Sequence, residues 1–600
     1  MDETRRPKKP TADEPREPDD ATRTTPLEGK RVVHPELDRR QFLGGVGGTA
    51  VGASLAGGLT GLGAMSGVTS RPAHAEEIAP ESPQVRHNNA LQIRHDAAID
   101  EHQLGWIDHP CNGDEDRFPN RIGNFHKTLP HDANGEVDPA AYDALLAATA
   151  SGKFSDWEAV PGGPNRLLNP VGGLAFNMSG PDSPAVGVNP PPSVDSAELA
   201  AQAAEVYWMA LCRDVPFAEW DTNPVVQAAA DSLSSFSGYT GPVDPSTGTV
   251  TPQVLFRSDY PGALDGPMVS QFLLRNFFYD AIPVVPRMRV PVQGSDFMTA
   301  YDEWLNIQNG AIASPFPPLD PTTRFIRSPR DLGMTAQLDR IYSVYFRAWL
   351  ILQGFIPFIA HPGLDPNHPY QNSNRQAAFS TFGRAHITEL LAEAGKSERS
   401  TWYQKWQVHR FVRPEAYGGL VHRVLADGAD YPVHEDLLNE TDLMQRVFDA
   451  NAARNGQRNQ GGGTFLLSQM FPVGGPNHPS FPAGHAITAG ASVTTLKAFY
   501  NEDLPFPSPR KPSADGLSLE PYVAGVDGPE LTIGSELNKL IHNLTHGRDM
   551  SGVHWRADGI EGNRQGEEVA IRFLREQKAT YPEPFEGFTL TKLDGSKIIV

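Results

Sequence analysis

The sequence predicts a mainly α-helical protein, most of it one large domain. Three observations carry that expectation. Apolar residues recur at helical spacing in several long segments. Convincing alternating strand patterns are few. Glycine (56) and proline (54) are abundant enough in the 600 residues to set long irregular connections between the helices. A content of 39% hydrophobic and 20% charged residues belongs to a folded chain.

The elements follow in order. Asp195-Ser196-Ala197-Glu198 reads as a capping box opening a helix with Leu199, Ala203, Val206, Tyr207 and Ala210 on one face. Leu338, Ile341, Tyr342, Tyr345, Trp349 and Leu352 form a second stripe, read as one core helix. Ile387 to Leu391 and Trp402 to Trp406 suggest a helical pair broken near Gly395. Ala486 to Tyr500 is rich in small residues, which lets a helix pack closely against neighbours. Leu537–Leu544 and Glu567–Leu574 complete the helical set. Thr249–Phe256 and Phe588–Val600 are the best strand candidates, Pro252 demoting the first to an edge. Pro/Gly-rich stretches at 154–194, 233–248, 308–330, 457–485 and 501–530 connect them.

Residues 1–75 stand apart. Residues 1–38 are polar, charged and Pro-rich, a composition that reads as a disordered n-region. Arg39-Arg40-Gln41-Phe42-Leu43 then precedes a weakly apolar stretch ending in Ala73-His74-Ala75, a small-x-small cleavage signature before Glu76. This matches a twin-arginine export signal, and ten glycines between 44 and 67 make a poor spanning helix. The expected mature chain, 76–600, is one helical domain without a membrane span, periplasmic or extracellular. A formal charge of −21 argues against a protein that coats nucleic acid. Cys111 and Cys212 are too few for a thiolate metal cluster; one disulfide and two unpaired buried thiols are equally open.

Three segments carry chemistry, all within about 330–580. In the first, Lys405 lies in a helical stretch, and Arg413 precedes Pro414, which places it at a helix end. The second is His478-Pro-Ser-Phe-Pro-Ala483-Gly484-His485. Its Gly484 opens the small-residue helix, where free N–H groups and the dipole favour an anion. His485 beside that anion suits proton transfer near neutral pH. The third runs from Gly547 to Gly559: Arg548 offers a bidentate fork, His554 follows, and Asp558 lies one turn further. Asp558 reads either as a helix-surface acid or as an orienting partner of His554.

Taken together, Lys…Arg-Pro, Pro-x-Gly-His and Gly-Arg-x5-His resemble the signature of the vanadium haloperoxidase and type-2 phosphatidic acid phosphatase superfamily. The Lys-Trp-x-Val-His-Arg…Arg-Pro-Glu wording is similar to the bromoperoxidase branch. Weaker resemblance extends from about 87 to 580 and includes Asn112-Gly113-Asp114-Glu115 and Leu129-Pro130-His131. It implies a helical bundle of the haloperoxidase type, often oligomeric, that holds one vanadate. His554 would bind vanadium, while Lys405, Arg413, Arg548 and the Gly484 N–H would neutralise vanadate oxygens. His485 would deprotonate hydrogen peroxide, and His478 would tune halide selection. An upstream acid would orient His485, with Asp339, an acid in an otherwise apolar helix, preferred to Asp331. The implied product is hypohalous acid, formed from halide (bromide or iodide favoured) and transferred to organic acceptors.

The sequence departs from the family pattern at Ala483, where serine is usual. A missing hydrogen bond to a charged group costs roughly 1.5–3 kcal/mol, so weakened or narrowed activity is expected. The same pocket suits an exported acid phosphatase with His554 as nucleophile, or an oxyanion-binding protein without turnover. His485, which binding alone does not need, argues against the latter.

Overall fold

A computed structural model describes residues 81–600 except Ile359, so the export signal expected at 1–75 lies outside the described residues. Fourteen α-helices of six or more residues carry the described part. They are α1 (Pro83–Gln103), α2 (Pro139–Ser151), α3 (Ala197–Cys212), α4 (Pro224–Ser235), α5 (Tyr301–Gln308), α6 (Pro329–Leu338) and α7 (Ser343–Gln353). The chain continues with α8 (Arg384–Ala394), α9 (Glu398–Tyr403), α10 (Pro414–Asp427), α11 (Thr441–Arg458), α12 (Gly484–Lys497), α13 (Ile533–Met550) and α14 (Arg556–Lys578). The mainly α reading therefore holds. Among the described residues the strands form four antiparallel two-stranded ribbons, of which only Thr589–Thr591 with Lys597–Ile599 falls in a segment read as a strand.

Local chemistry explains where the sequence reading shifts. Ser196, one residue later than the capping box suggests, caps α3 by accepting the Leu199 N–H at 3.1 Å. Thr249–Phe256 forms turns instead of an edge strand: the Thr251 carbonyl accepts from both Val254 and Leu255, a fold-back that Pro252 permits because its nitrogen needs no partner. The stripe from Leu338 to Leu352 is two helices. α6 ends at Leu338, Asp339 is its C-cap, and Ile341 has φ 67°. Ser343 stabilises the break by donating to Asp339 Oδ1 (3.1 Å) and accepting the Arg340 N–H (3.2 Å). Asp339 thus sits at a helix end, not inside an apolar helix. The break near Gly395 is present, as a 3₁₀ turn over Gly395–Ser397 between α8 and α9.

Helices α12 and α13 form the centre. Every residue of α13 is buried, and every residue of α12 except His485. A helix buried all round needs close neighbours, and small residues provide them. A Cβ on Gly490 would run into the Asn563 carbonyl of α14, and one on Gly566 into the Ile487 carbonyl of α12. Two buried ion pairs brace this centre: Lys539 with Glu536 at 2.7 Å inside α13, and the Arg556 Nε with Glu205 at 2.8 Å between α14 and α3. No helix among the described residues is long and apolar enough to cross a membrane. Neither cysteine is bonded: Cys111 is exposed, so the reading of two buried thiols fails as well. Cys212 is buried, and burial pushes its thiol up to about 12.

Candidate active site

Backbone contacts bring the three chemical segments together. Ser480 donates its N–H to the Phe411 carbonyl (3.1 Å) and its hydroxyl to the Val412 carbonyl (2.9 Å). The Trp555 indole N–H donates to the same Val412 carbonyl at 2.9 Å. Ala483 N–H donates to the Asp558 carbonyl at 2.8 Å, closing the triangle. Lys127, paired with Glu415 at 2.6 Å, also donates to the carbonyls of Val473 and Gly475, fixing the loop that leads to His478.

Three cations meet inside this frame. Lys405 lies in a π-type turn, Gln404–His409, and donates to the carbonyls of Pro479 (2.9 Å) and Ser480 (2.6 Å). Arg413 is the N-cap of α10, at the start of the following helix rather than the end of the preceding one. Its guanidinium reaches the carbonyls of His478 (2.8 Å) and Val553 (2.6 Å). Arg548, at the end of α13, donates to Gln337, and its Nε has no partner. Among the described residues, no carboxylate lies within ion-pair distance of any of the three. Burial lowers Lys405 well below its ordinary value, Arg413 to about 9 and Arg548 to about 10, with mutual repulsion adding to it for Lys405 and Arg413. The carboxylates of Glu398, Asp558, Glu415, Asp339 and Asp549 act on these cations only from beyond ion-pair distance, so an anion placed among the three would be favoured.

The remaining groups suit that anion. Gly484 and His485 open α12, and Ala483, its N-cap, makes no side-chain capping bond, so the first-turn N–H groups stay free of one. His554 Nδ1 lies 2.7 Å from Asp558 Oδ2, which also accepts the Trp555 N–H at 3.0 Å. This leaves Nε2 as the ligating nitrogen. Asp558 is fully buried, which settles it as an orienting partner instead of a surface acid. Burial, then the neighbouring cations, hold the pKa values of His554, His478 and His485 well below the ordinary value, so all three imidazoles are neutral. His478 is fixed by the Arg413 guanidinium at 3.1 Å and packs at a tilt against Trp402 with ring centroids 4.9 Å apart.

The two acids considered for His485 part here. Asp331 pairs with Arg327 at 3.4 Å and accepts its N–H at 3.2 Å, so it serves the start of α6. Asp339 keeps Oδ2 buried without a partner and lies in the field of Arg548. Its bonded oxygen takes Ser343, not the His485 imidazole. Sequence reasoning missed Glu398, whose carboxyl packs on Gly484. The available signal was spacing: Glu398, Trp402 and Lys405 share one helical face at i, i+4 and i+7.

Residues 441–581 match the family model described as the VCPO second helical-bundle domain. Curated relatives cover more of the chain. The vanadium-dependent bromoperoxidase of Ascophyllum nodosum is 39% identical over 519 residues, 84% of this chain and 90% of its own length. That of Corallina officinalis is 33% identical over 82% of this chain and 92% of its own length. The chain belongs to the vanadium-dependent haloperoxidase family. Among solved structures, the homohexameric second vanadate-dependent bromoperoxidase of Ascophyllum nodosum superposes with a TM-score of 0.81 at 37% identity, covering 90% of this chain and 94% of that one.

The vanadate that haloperoxidase membership implies fits these residues: one free imidazole nitrogen, three unpaired cations and a helix start. Among the described residues no group of three or more His, Cys, Asp or Glu could hold a bare metal ion. The pocket is made for an oxyanion. Asp558→Asn is expected to weaken vanadate binding by about 10–100-fold, because the amide no longer holds Nδ1–H by charge. Equilibrium dialysis of the variant against vanadate measures it.

Proposed function

We propose that the protein oxidises halide, bromide or iodide before chloride, with hydrogen peroxide, and releases a hypohalous equivalent that halogenates small organic acceptors. The observation that carries this is His554 Nε2 placed among Lys405, Arg413 and Arg548, with His485 at the start of α12. Bound vanadate would supply a Lewis-acidic centre that polarises peroxide. The protein's own groups do the rest. His554 would ligate vanadate through Nε2, the nitrogen that Asp558 leaves free. Lys405, Arg413, Arg548 and the Gly484 N–H hold its oxygens and the anionic charge that peroxide brings. His485, kept neutral by burial and by Arg548 and Lys405, accepts the peroxide proton at a ring nitrogen. Asp339, whose free Oδ2 lies in the field of Arg548, is the acid proposed to orient that imidazole once the site is filled. His478, neutral and held between Arg413 and Trp402, sets which halide approaches.

The assay is monochlorodimedone bromination by the apo-protein, with and without vanadate. Activity that appears only with vanadate, peroxide and bromide together is the expected outcome. Hydrolysis of p-nitrophenyl phosphate that vanadate merely inhibits would replace this reading with a phosphatase using His554 as nucleophile. Vanadate or phosphate is also expected to raise the thermal midpoint of the apo-protein. Ligand at 100 times its dissociation constant adds about 2.7 kcal/mol of stability, and differential scanning fluorimetry reads the shift. Residues 1–75 act, in this proposal, as a twin-arginine leader removed before Glu76, leaving 76–600 as the exported catalytic chain. The homohexameric relative supports a homo-oligomer.

A further inference from the structure

Ala483 leaves the oxyanion without the hydroxyl donor that the family's usual serine supplies, and the Glu398 carboxyl packs on the next residue of the same helix start, Gly484. Glu398 opens α9, two turns before Lys405. Its carboxyl lies over the Cα of Gly484: a Cβ there would sit 2.8 Å from Oε2 and 3.1 Å from Oε1, with the Trp402 ring at 3.2 Å. Thr488, one turn further along α12, donates to Oε1 at 3.2 Å.

We propose that Glu398 is an oxyanion-positioning residue, its carboxyl O–H donating to the bound oxyanion in place of the hydroxyl that Ala483 lacks. The inference rests on the oxyanion reading of the pocket. An ionised carboxylate at that position would oppose the anion that the three cations exist to hold, whereas a neutral carboxyl adds a donor to them. The groups around it act in both directions. Burial among α9, α12 and Trp402, with Asp339, favours the neutral form; Lys405, the Thr488 hydroxyl and Arg548 favour the ionised one. Burial is the larger effect and raises the carboxyl to about 7. A bound oxyanion adds a further negative charge and cancels the help of Lys405 and Arg548. The proton is therefore held most firmly when the site is filled.

The test measures binding in the full-length apo-protein, by equilibrium dialysis against vanadate and by displacement with inorganic phosphate. Glu398→Ala is expected to weaken vanadate binding by about tenfold or more, the loss of one hydrogen bond to a charged group. Glu398→Gln, which keeps an N–H donor, should stay within about threefold of the native chain. Ala483→Ser, added to the Glu398→Ala chain, should restore binding, and that rescue separates a lost donor from a damaged fold. Binding by Glu398→Ala as tight as native, or tighter, overturns the proposal. So does weakened binding that Ala483→Ser does not restore. A native protein that takes up neither vanadate nor phosphate overturns the oxyanion reading itself.

Discussion

His554→Ala is expected to weaken vanadate uptake and to abolish peroxide-dependent halogenation, with turnover falling by about a thousandfold or more, equivalent to roughly 4 kcal/mol. The expectation follows from the division of labour in the pocket. Lys405, Arg413 and Arg548 attract an oxyanion by charge, but each is already committed to carbonyl or amide partners and offers no electron pair. His554 alone presents a neutral, charge-oriented nitrogen from the loop between α13 and α14. The cations can still hold a tetrahedral anion in the variant, so weak phosphate binding should survive while vanadate-dependent turnover is lost. Dialysis with both anions, next to the bromination assay, separates the two effects. A variant that kept native turnover would remove His554 from the chemistry and defeat the phosphatase alternative with it.

Gly566→Ala is expected to damage the site from a distance. The added methyl would collide with the Ile487 carbonyl and lie 2.8 Å from the Ala491 nitrogen, both main-chain atoms that no rotamer change can move. Overpacking of this kind costs about 1–3 kcal/mol and more where the backbone itself must shift. α12 carries Gly484 and His485, α14 carries Asp558, and the Ala483–Asp558 bond at 2.8 Å lies at the same seam. Opening the seam therefore lowers the thermal midpoint and weakens oxyanion binding together. A variant with a lowered midpoint but native vanadate affinity would show that the helix starts keep their spacing independently of the seam.

Much of this was legible in the sequence, for definite physical reasons. Pro482 and Gly484 mark a helix start whatever surrounds them, and Ala486 to Tyr500 announce close packing by composition. Lys405, Arg413, Arg548, His554 and His485 were found as separate segments, and the structure converges them on one pocket. What was not legible depends on tertiary contact. Asp558 has the i+4 spacing of a surface acid and of an orienting acid alike; only burial beside His554 decides. Asp339 fits an apolar stripe by spacing, but Ser343 offers the backbone a competing hydrogen bond and the helix stops. Glu398 carries no local signal apart from a shared face with Lys405, because its meaning comes from a glycine 86 positions away.

The cradle is held by acceptors that belong to the peptide backbone. Lys405 and Arg413 are aimed by the carbonyls of His478, Pro479, Ser480 and Val553, and a carbonyl is the same whichever side chain it carries. Replacing the side chain of Pro479 or Val553 leaves these acceptors in place, provided the path of the chain is kept. Insertions and deletions are the changes this pocket cannot absorb. An added residue between Lys405 and Arg413, or between Arg548 and His554, would move a cation or the ligating imidazole out of the cradle.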